Sequence, residues 1–259
     1  MLTIYSDKHR LHHGTELKDG VLQPSVEMPR RADTVLARIG AVGLGAVVGP
    51  ADYASSLYSP AHTPRYIRFL ENAWADWLAV GRRHDALPLI WPVRDLRADV
   101  EPEHIDGKPG FYSMGAGVPI TGGTWEAVRS SANLALTGAR ALADGARGAF
   151  ALCRPPGHHA AAEYMGGYCY LNNAAIAAQD LVRRGAKRVA VIDERTAYGQ
   201  GVADEFSKSA KGAGVKVVAT QFTNDKATNF NAIQRSRRKS RTWCSSAAWT
   251  PSPGRCCGK

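Results

Sequence analysis

Apolar positions recur with two different periods along this chain, and the switches between them predict alternating strands and helices. Leu2 to Tyr5 is a short β-prone opening that reads as a first strand, and Pro24 to Pro29 is a turn-rich link. Val35, Leu36 and Ile39 lie at helical spacing and predict a helix over Ala32 to Ile39, with Gly40 placed to end it. Thr63-Pro64 is a helix start, threonine at the cap and proline in the first turn. From there Tyr66, Phe69, Leu70, Ala73, Trp74, Trp77 and Val80 fall on one face, which predicts an amphipathic helix docked on a core and ended near Gly81. Glu101 to Pro119 is rich in glycine and proline and reads as a long ordered loop.

A second helix is predicted from Thr124, with Glu126 set to favour its dipole. Ala127, Ser131, Leu134, Ala135, Gly138, Ala139 and Leu142 form its stripe, small enough for close approach to a neighbouring element. Ala149 to Cys153 reads as a buried strand. Leu171, Ala174, Ala175, Ala178, Leu181 and Val182 mark a helix ended by Gly185, and Arg188 to Asp193 is the next strand. Strand, helix and strand with short links make a βαβ unit, so these two strands are expected to be parallel.

Charge changes this picture little. The net charge is +10, but residues 234–259 alone carry seven Lys and Arg and no Asp or Glu, which leaves +3 for everything before them. The basic balance therefore belongs to the tail and is weak ground for a nucleic-acid partner. Cys244, Cys256 and Cys257 also fall in the tail, whereas Cys153 and Cys169 sit in apolar settings and read as reduced structural thiols. The N-terminus lacks a basic segment followed by an apolar core, and no apolar run approaches the ~20 residues that span a bilayer. A cytoplasmic location is expected, with no membrane partner.

Candidate chemistry centres on Leu152-Cys153-Arg154-Pro155-Pro156-Gly157-His158-His159-Ala160. Two prolines force the chain out of the preceding strand, and Gly157 permits a tight path. The imidazoles of His158 and His159 are thus delivered at the C-terminal end of a strand, where open α/β sheets bind ligands. Histidine titrates near neutrality, so the pair suits general-base and electrostatic work. Two capping histidines in a loop would satisfy the bare pattern as well.

Together with Met165-Gly166-Gly167-Tyr168-Cys169-Tyr170-Leu171-Asn172-Asn173-Ala174-Ala175, this stretch resembles the zinc-dependent histone deacetylase superfamily and, within it, the bacterial acetylpolyamine amidohydrolase branch. Further matching segments are Tyr5-Ser6-Asp7 through Thr15-Glu16-Leu17, His62 with Tyr66 to Glu71, Trp91 to Arg94, Gly123 to Ala127, and Gly185 to Asp193. The resemblance implies an arginase/deacetylase-like α/β fold, a three-layer parallel sheet flanked by helices, here truncated and incomplete. It implies hydrolysis of an acetylated amine, acetylpolyamine or acetyl-lysine, with zinc polarising the carbonyl and His158 and His159 moving protons. It also implies that Gly167 and Tyr168 line the substrate tunnel, that the 101–119 region contributes to its rim, that Asp193 serves a second-shell or monovalent-cation role, and that the protein is a homodimer.

The family strand that matches Asp193 continues as Asp-x-Asp-x-His-His-Gly-Asn-Gly-Thr, whose second Asp and first His are zinc ligands. Here Arg195 stands at the aspartate position and Ala197 at the histidine position. A guanidinium repels a cation and a methyl has no lone pair, so the metal set is expected to be absent and the chain inactive. Residues 188–233, from Arg188-Val189-Ala190-Val191-Ile192-Asp193 through Tyr198-Gly199-Gln200-Gly201, resemble instead part of a periplasmic branched-chain amino-acid binding protein. That segment predicts a helix over Val202 to Ala213 and a strand over Val215 to Ala219. Residues 234–259 lack apolar periodicity, look like a shifted reading frame, and are expected to be disordered. Three organisational parts follow: a partial deacetylase-like domain to 193, a foreign βαβ-type segment over 194–233, and the tail. The function classes are an amidohydrolase, a noncatalytic chimeric remnant, and a small-molecule binding fragment.

Overall fold

The computed structural model describes residues 1–223 apart from 94, 96, 98, 194, 195 and 213. It divides into two compact units, Met1–Leu181 and the part that follows from Val182. In the first unit β1 (Leu2–Ile4) is the middle strand of a parallel sheet. It pairs on one side with β4 (Val47–Val48) and on the other with β5 (Ala149–Ala151), with Thr3 opposite both Val47 and Phe150. Ile4, in the centre, is fully buried. β5 stops two residues before Cys153, whose N–H turns back to the Ala151 carbonyl at 2.9 Å.

Between β1 and β4 the sequence reading overlooked an antiparallel hairpin, β2 (Thr15–Lys18) and β3 (Val21–Pro24). Its two-residue turn is Asp19-Gly20, both at positive φ, 53° and 79°. That pairing of residue types is favoured where both central turn positions need left-handed backbone. Helix α1 (Arg30–Ala41) runs past Gly40. It stops instead before Gly43, whose φ of 60° and N–H bond to the Gly40 carbonyl close the end. Its buried residues are Ala32 and Ile39, while Val35 is exposed.

Helix α2 (Pro64–Ala79) starts where Thr63-Pro64 predicts and buries Tyr66, Ile67, Phe69, Leu70, Ala73 and Trp77. Trp74 is only partly covered and Val80 is exposed. The 101–119 stretch is ordered and includes one short helical turn, α3 (Lys108–Phe111). Tyr112 follows it into the aromatic core, stacking on Phe69 with ring centroids 4.6 Å apart and lying 5.6 Å from Tyr66.

Helix α4 (Thr124–Ala143) is the pillar of this unit, with buried residues nearly all round its first four turns. Its small residues do what their size predicts. A Cβ added at Gly138 would stand 3.5 Å from Ile4 Cδ1 and 3.7 Å from Ala149 Cβ, so helix and sheet meet at van der Waals contact. Helix α5 (Asn173–Arg183) buries Asn173, Ile176 and Asp180 rather than the expected face through Ala174 and Ala178. Two polar residues hid the stripe because both find partners on α4. Asp180 meets Arg140 at 3.2 Å, and Asn173 Nδ2 donates to Ser131 Oγ at 2.9 Å.

The second unit holds β6 (Arg188–Asp193), α6 (Ala197–Gly212) and β7 (Lys216–Phe222), with β6 and β7 parallel and Asp193 opposite Phe222. α6 begins five residues earlier than predicted because Thr196 caps it, accepting the Gly199 N–H at 2.9 Å. β5 pairs with β1 in the first unit, and β6 with β7 in the second. Among the described residues no helix is long and apolar enough to cross a membrane.

Candidate functional site around the histidine pair

The histidine loop is fixed at both ends before its imidazoles are reached. At its start Arg154, 2 % exposed, turns inward. Its Nη2 donates to the Glu27 carbonyl at 3.0 Å, its Nη1 to the His9 carbonyl, and its Nε lies 3.2 Å from the Glu27 carboxylate, a charge contact without hydrogen-bond alignment. Pro155 then offers its carbonyl to Ser131 Oγ at 2.7 Å and to Asn173 Nδ2 at 3.3 Å, so α4 and α5 both hold the turn. Gly157 is clamped backbone to backbone. A Cβ there would lie 2.5 Å from both Asn173 N and Leu171 O, which only glycine avoids. Past the pair, Asn172 Nδ2 donates to the Ala160 carbonyl at 2.9 Å, and His62 Nε2 accepts the Asn172 N–H at 2.8 Å.

His158 and His159 are half-buried, with ring centroids 4.3 Å apart and planes at 47°. Burial, then the neighbouring imidazole, pushes His158 down to about 4, and burial lowers His159 too. Both rings are therefore neutral at pH 7 and able to accept a proton. Gly167, at φ 50°, lies flat against the second ring; a Cβ there would stand 2.5 Å from His159 Cδ2. Tyr168 follows, also at positive φ (63°), its N–H on the Gly117 carbonyl and its hydroxyl on Glu16 Oε2 at 2.5 Å. Burial, then this carboxylate, holds the Tyr168 phenol well above its usual range. The structure thus brings His158, His159 and Gly167 together, with Tyr168 the next residue in the chain.

Cys153 and Cys169 flank the loop as free thiols, each pushed up to about 12 by burial, and so carry no thiolate at neutral pH. Glu16 and the Arg154–Glu27 pair were not assigned roles from the sequence. In the hairpin Glu16 is 4 % exposed while Leu17 is 45 % exposed, so the charged residue faces inward and the apolar one outward.

Asp193 ends β6 in the second unit, 5 % exposed, its carbonyl accepting the Thr223 N–H at 2.8 Å. Arg195 lies outside the described residues, as do residues 234–259. Ala197 is the exposed first residue of α6, just past the Thr196 cap. Its side chain supplies no donor atom for a metal. Among the described residues no three His, Cys, Asp or Glu side chains converge as a metal cluster.

A profile of the histone deacetylase domain matches residues 25–220. The chain belongs to the histone deacetylase family. Acetylpolyamine amidohydrolase 2 of Pseudomonas aeruginosa is 58% identical over 207 residues, 80% of this chain and 60% of that protein. Acetylpolyamine amidohydrolase 1 of the same organism is 50% identical over 208 residues with the same coverage. The chain thus spans 60% of the length of these curated relatives. The crystal structure of the acetylpolyamine aminohydrolase from Burkholderia pseudomallei superposes with a TM-score of 0.71 at 35% identity, covering 90% of this deacetylase-family chain and 66% of the other. The arginase/deacetylase-like α/β fold expected from the motifs is the fold of these neighbours.

Proposed function

We propose that this chain is a noncatalytic member of the deacetylase family, derived from an enzyme acting on acetylated amines and unable to hydrolyse them itself. The observation that carries this reading is Ala197, the first residue of a capped helix at the position where the family motif calls for a zinc-binding histidine. The names of the relatives at 58% and 50% identity favour an acetylpolyamine as the ancestral substrate over acetyl-lysine. Zinc does not fit the residues present: the methyl of Ala197 offers no lone pair, and Arg195 would bring a positive charge to the second ligand position. Without a strong electrophile, His158 and His159 supply a proton acceptor but nothing to stabilise the oxyanion formed at an amide carbonyl. The segment over 188–233 then stands where the metal loop would be, and the whole is read as a chimera of a deacetylase-like head with unrelated sequence. The free thiols of Cys153 and Cys169 fit a reducing, cytoplasmic setting.

The test is turnover of an N-acetylated polyamine by the purified full chain with zinc added, alongside metal content by elemental analysis. The expected results are no hydrolysis above background and no stoichiometric zinc. Chelator-sensitive hydrolysis would overturn the proposal.

A further inference from the structure

Charge is divided unevenly between the two units. Met1–Leu181 carries 17 Lys and Arg against 18 Asp and Glu, whereas the residues from Val182 on carry 16 against 5. The excess does not belong to the tail alone, because residues 182–233 hold 9 Lys and Arg against 5 Asp and Glu. The fold gathers four of these cations at one end of the β6–β7 sheet. Arg188 and Lys216 are register partners at the start of the two parallel strands. Lys187 precedes β6, and its carbonyl accepts the Lys216 N–H at 2.9 Å. Lys211 lies in the last turn of α6, which returns directly into β7. There Gly214, at φ 74°, donates to the Lys211 carbonyl at 3.0 Å, and Val215 donates to the Ala210 carbonyl at 2.9 Å. All four cations are exposed, and among the described residues none of them is in an ion pair. The acids of this unit are placed elsewhere along its elements. Asp193 closes the far end of β6. Asp204 and Glu205 fall in the middle of α6, roughly 10 Å before Lys211 at 1.5 Å per residue.

Like charges side by side on neighbouring strands oppose each other. The dipole of α6 favours Lys211 at a helix C-terminus, but it gives no reason for Arg188 and Lys216 to stand opposite one another. A polyanion laid across this end would relieve them. We propose that this end of the second unit binds the phosphate backbone of a nucleic acid without regard to its sequence. A duplex carries one charge per ~1.7 Å of its axis, so cations on strands ~4.8 Å apart meet several phosphates at once. Contacts of Lys and Arg to phosphate fix position and read no base. A membrane surface fits less well, because peripheral attachment joins basic residues to apolar ones that enter the lipid. In this unit the exposed large apolar residue among those described is Phe222, opposite Asp193 at the far end of the strands. The site shares no residue with the histidine loop and stands whether or not that loop is catalytic.

The experiment is fluorescence anisotropy of the full chain with two labelled DNA duplexes of unrelated sequence, from about 50 to 200 mM salt. One variant combines Lys187→Gln, Arg188→Gln and Lys216→Gln. A second combines Arg30→Gln, Arg38→Gln and Arg68→Gln, exposed residues of the first unit, and changes net charge by the same amount. The expected result is equal binding of both duplexes, weakened at least tenfold at the lower salt by the first variant and less than threefold by the second. The plot of log affinity against log salt should also become shallower by about 2–3 in the first variant, one phosphate contact being worth about 0.9. Thermal unfolding of the first variant should show no loss of stability, since it removes a repulsion. The absence of binding at low salt overturns the proposal. So does equal weakening in the two variants, because net charge alone would then be responsible, and so does binding that the first variant leaves unchanged, because the duplex would then sit elsewhere. Tighter binding to vesicles of phosphatidylglycerol than to either duplex overturns it as well, in favour of a lipid surface.

Discussion

Replacing Arg154 by methionine keeps most of the side-chain volume and removes only the charge and its donors. The loss is large because the partner stays behind. Glu27 is 4 % exposed, and its other cation, Arg31, reaches it only at 3.6 Å. Breaking a buried pair in this way costs about 3–5 kcal/mol, most of it the penalty of an uncompensated buried carboxylate. The His9 carbonyl and the Glu27 carbonyl also lose the guanidinium that binds them. The pH dependence follows from Glu27. Burial, opposed by Arg154, already holds its carboxyl above the usual range, and removing Arg154 raises it further. A raised folded-state carboxyl makes the folded protein take up the proton first, so stability is greatest below the unfolded value of about 4.3 and falls as pH rises through the folded one. The Arg154→Met deficit is therefore expected to be largest at pH 7 and to shrink below about pH 4.3. Urea denaturation followed by tryptophan fluorescence, at several pH values, measures it. A deficit below about 1 kcal/mol at pH 7, or one that does not vary with pH, would refute the reasoning, because the pair would then be contributing no more than a surface ion pair. The double variant Arg154→Met with Glu27→Leu is expected to regain much of the loss, as apolar replacements of whole buried pairs do.

Three further outcomes are expected. Gly157→Ala drives a Cβ to 2.5 Å from two backbone atoms of 171–173 and should destabilise the protein by at least about 1–3 kcal/mol in the same assay; a neutral result would mean that the clamp yields freely. His12, His62 and His158, held down to about 3, 4 and 4 by burial, stay neutral in the folded state while the unfolded chain takes up protons below about 6.5. Stability should therefore fall as pH drops from about 6.5 towards 4, by up to about 1.4 kcal/mol per pH unit for each histidine, and NMR titration of the ring protons should show all three neutral at pH 6. Gly20→Ala keeps open space around the new methyl but forces φ 79° on an L-residue, so thermal unfolding should register a loss of about 1–2 kcal/mol, and no loss would mean that the hairpin turn relaxes.

The parts of this molecule that were legible in its sequence are those where one local rule acts without competition. Thr63-Pro64 starts α2, the small residues of α4 let it close on β1 and β5, and the prolines with Gly157 turn the chain so that His159 lies against Gly167. What escaped has a physical cause in each case. Asp19-Gly20 was a hairpin signal, but the strands beside it carry apolar residues outward and Glu16 inward, so their alternation does not look like a half-buried sheet. The buried face of α5 contains Asn173 and Asp180, and no apolar periodicity finds polar residues whose partners, Ser131 and Arg140, come from another helix. Strand partners cannot be read from order alone: β5 pairs with β1, far upstream. The arginine that anchors the histidine loop went unassigned because Glu27 is remote in sequence and buried with it.

The clamp on Gly157 carries a consequence for reading ancestry from geometry. The contacts that aim the two imidazoles are the same ones that seal α4 against α5, so a lineage that gave up the chemistry would still be penalised for losing the shape. A well-formed pair of histidines in a relative of this protein therefore testifies to a sound scaffold, and the question of turnover has to be put to the residues that follow β6.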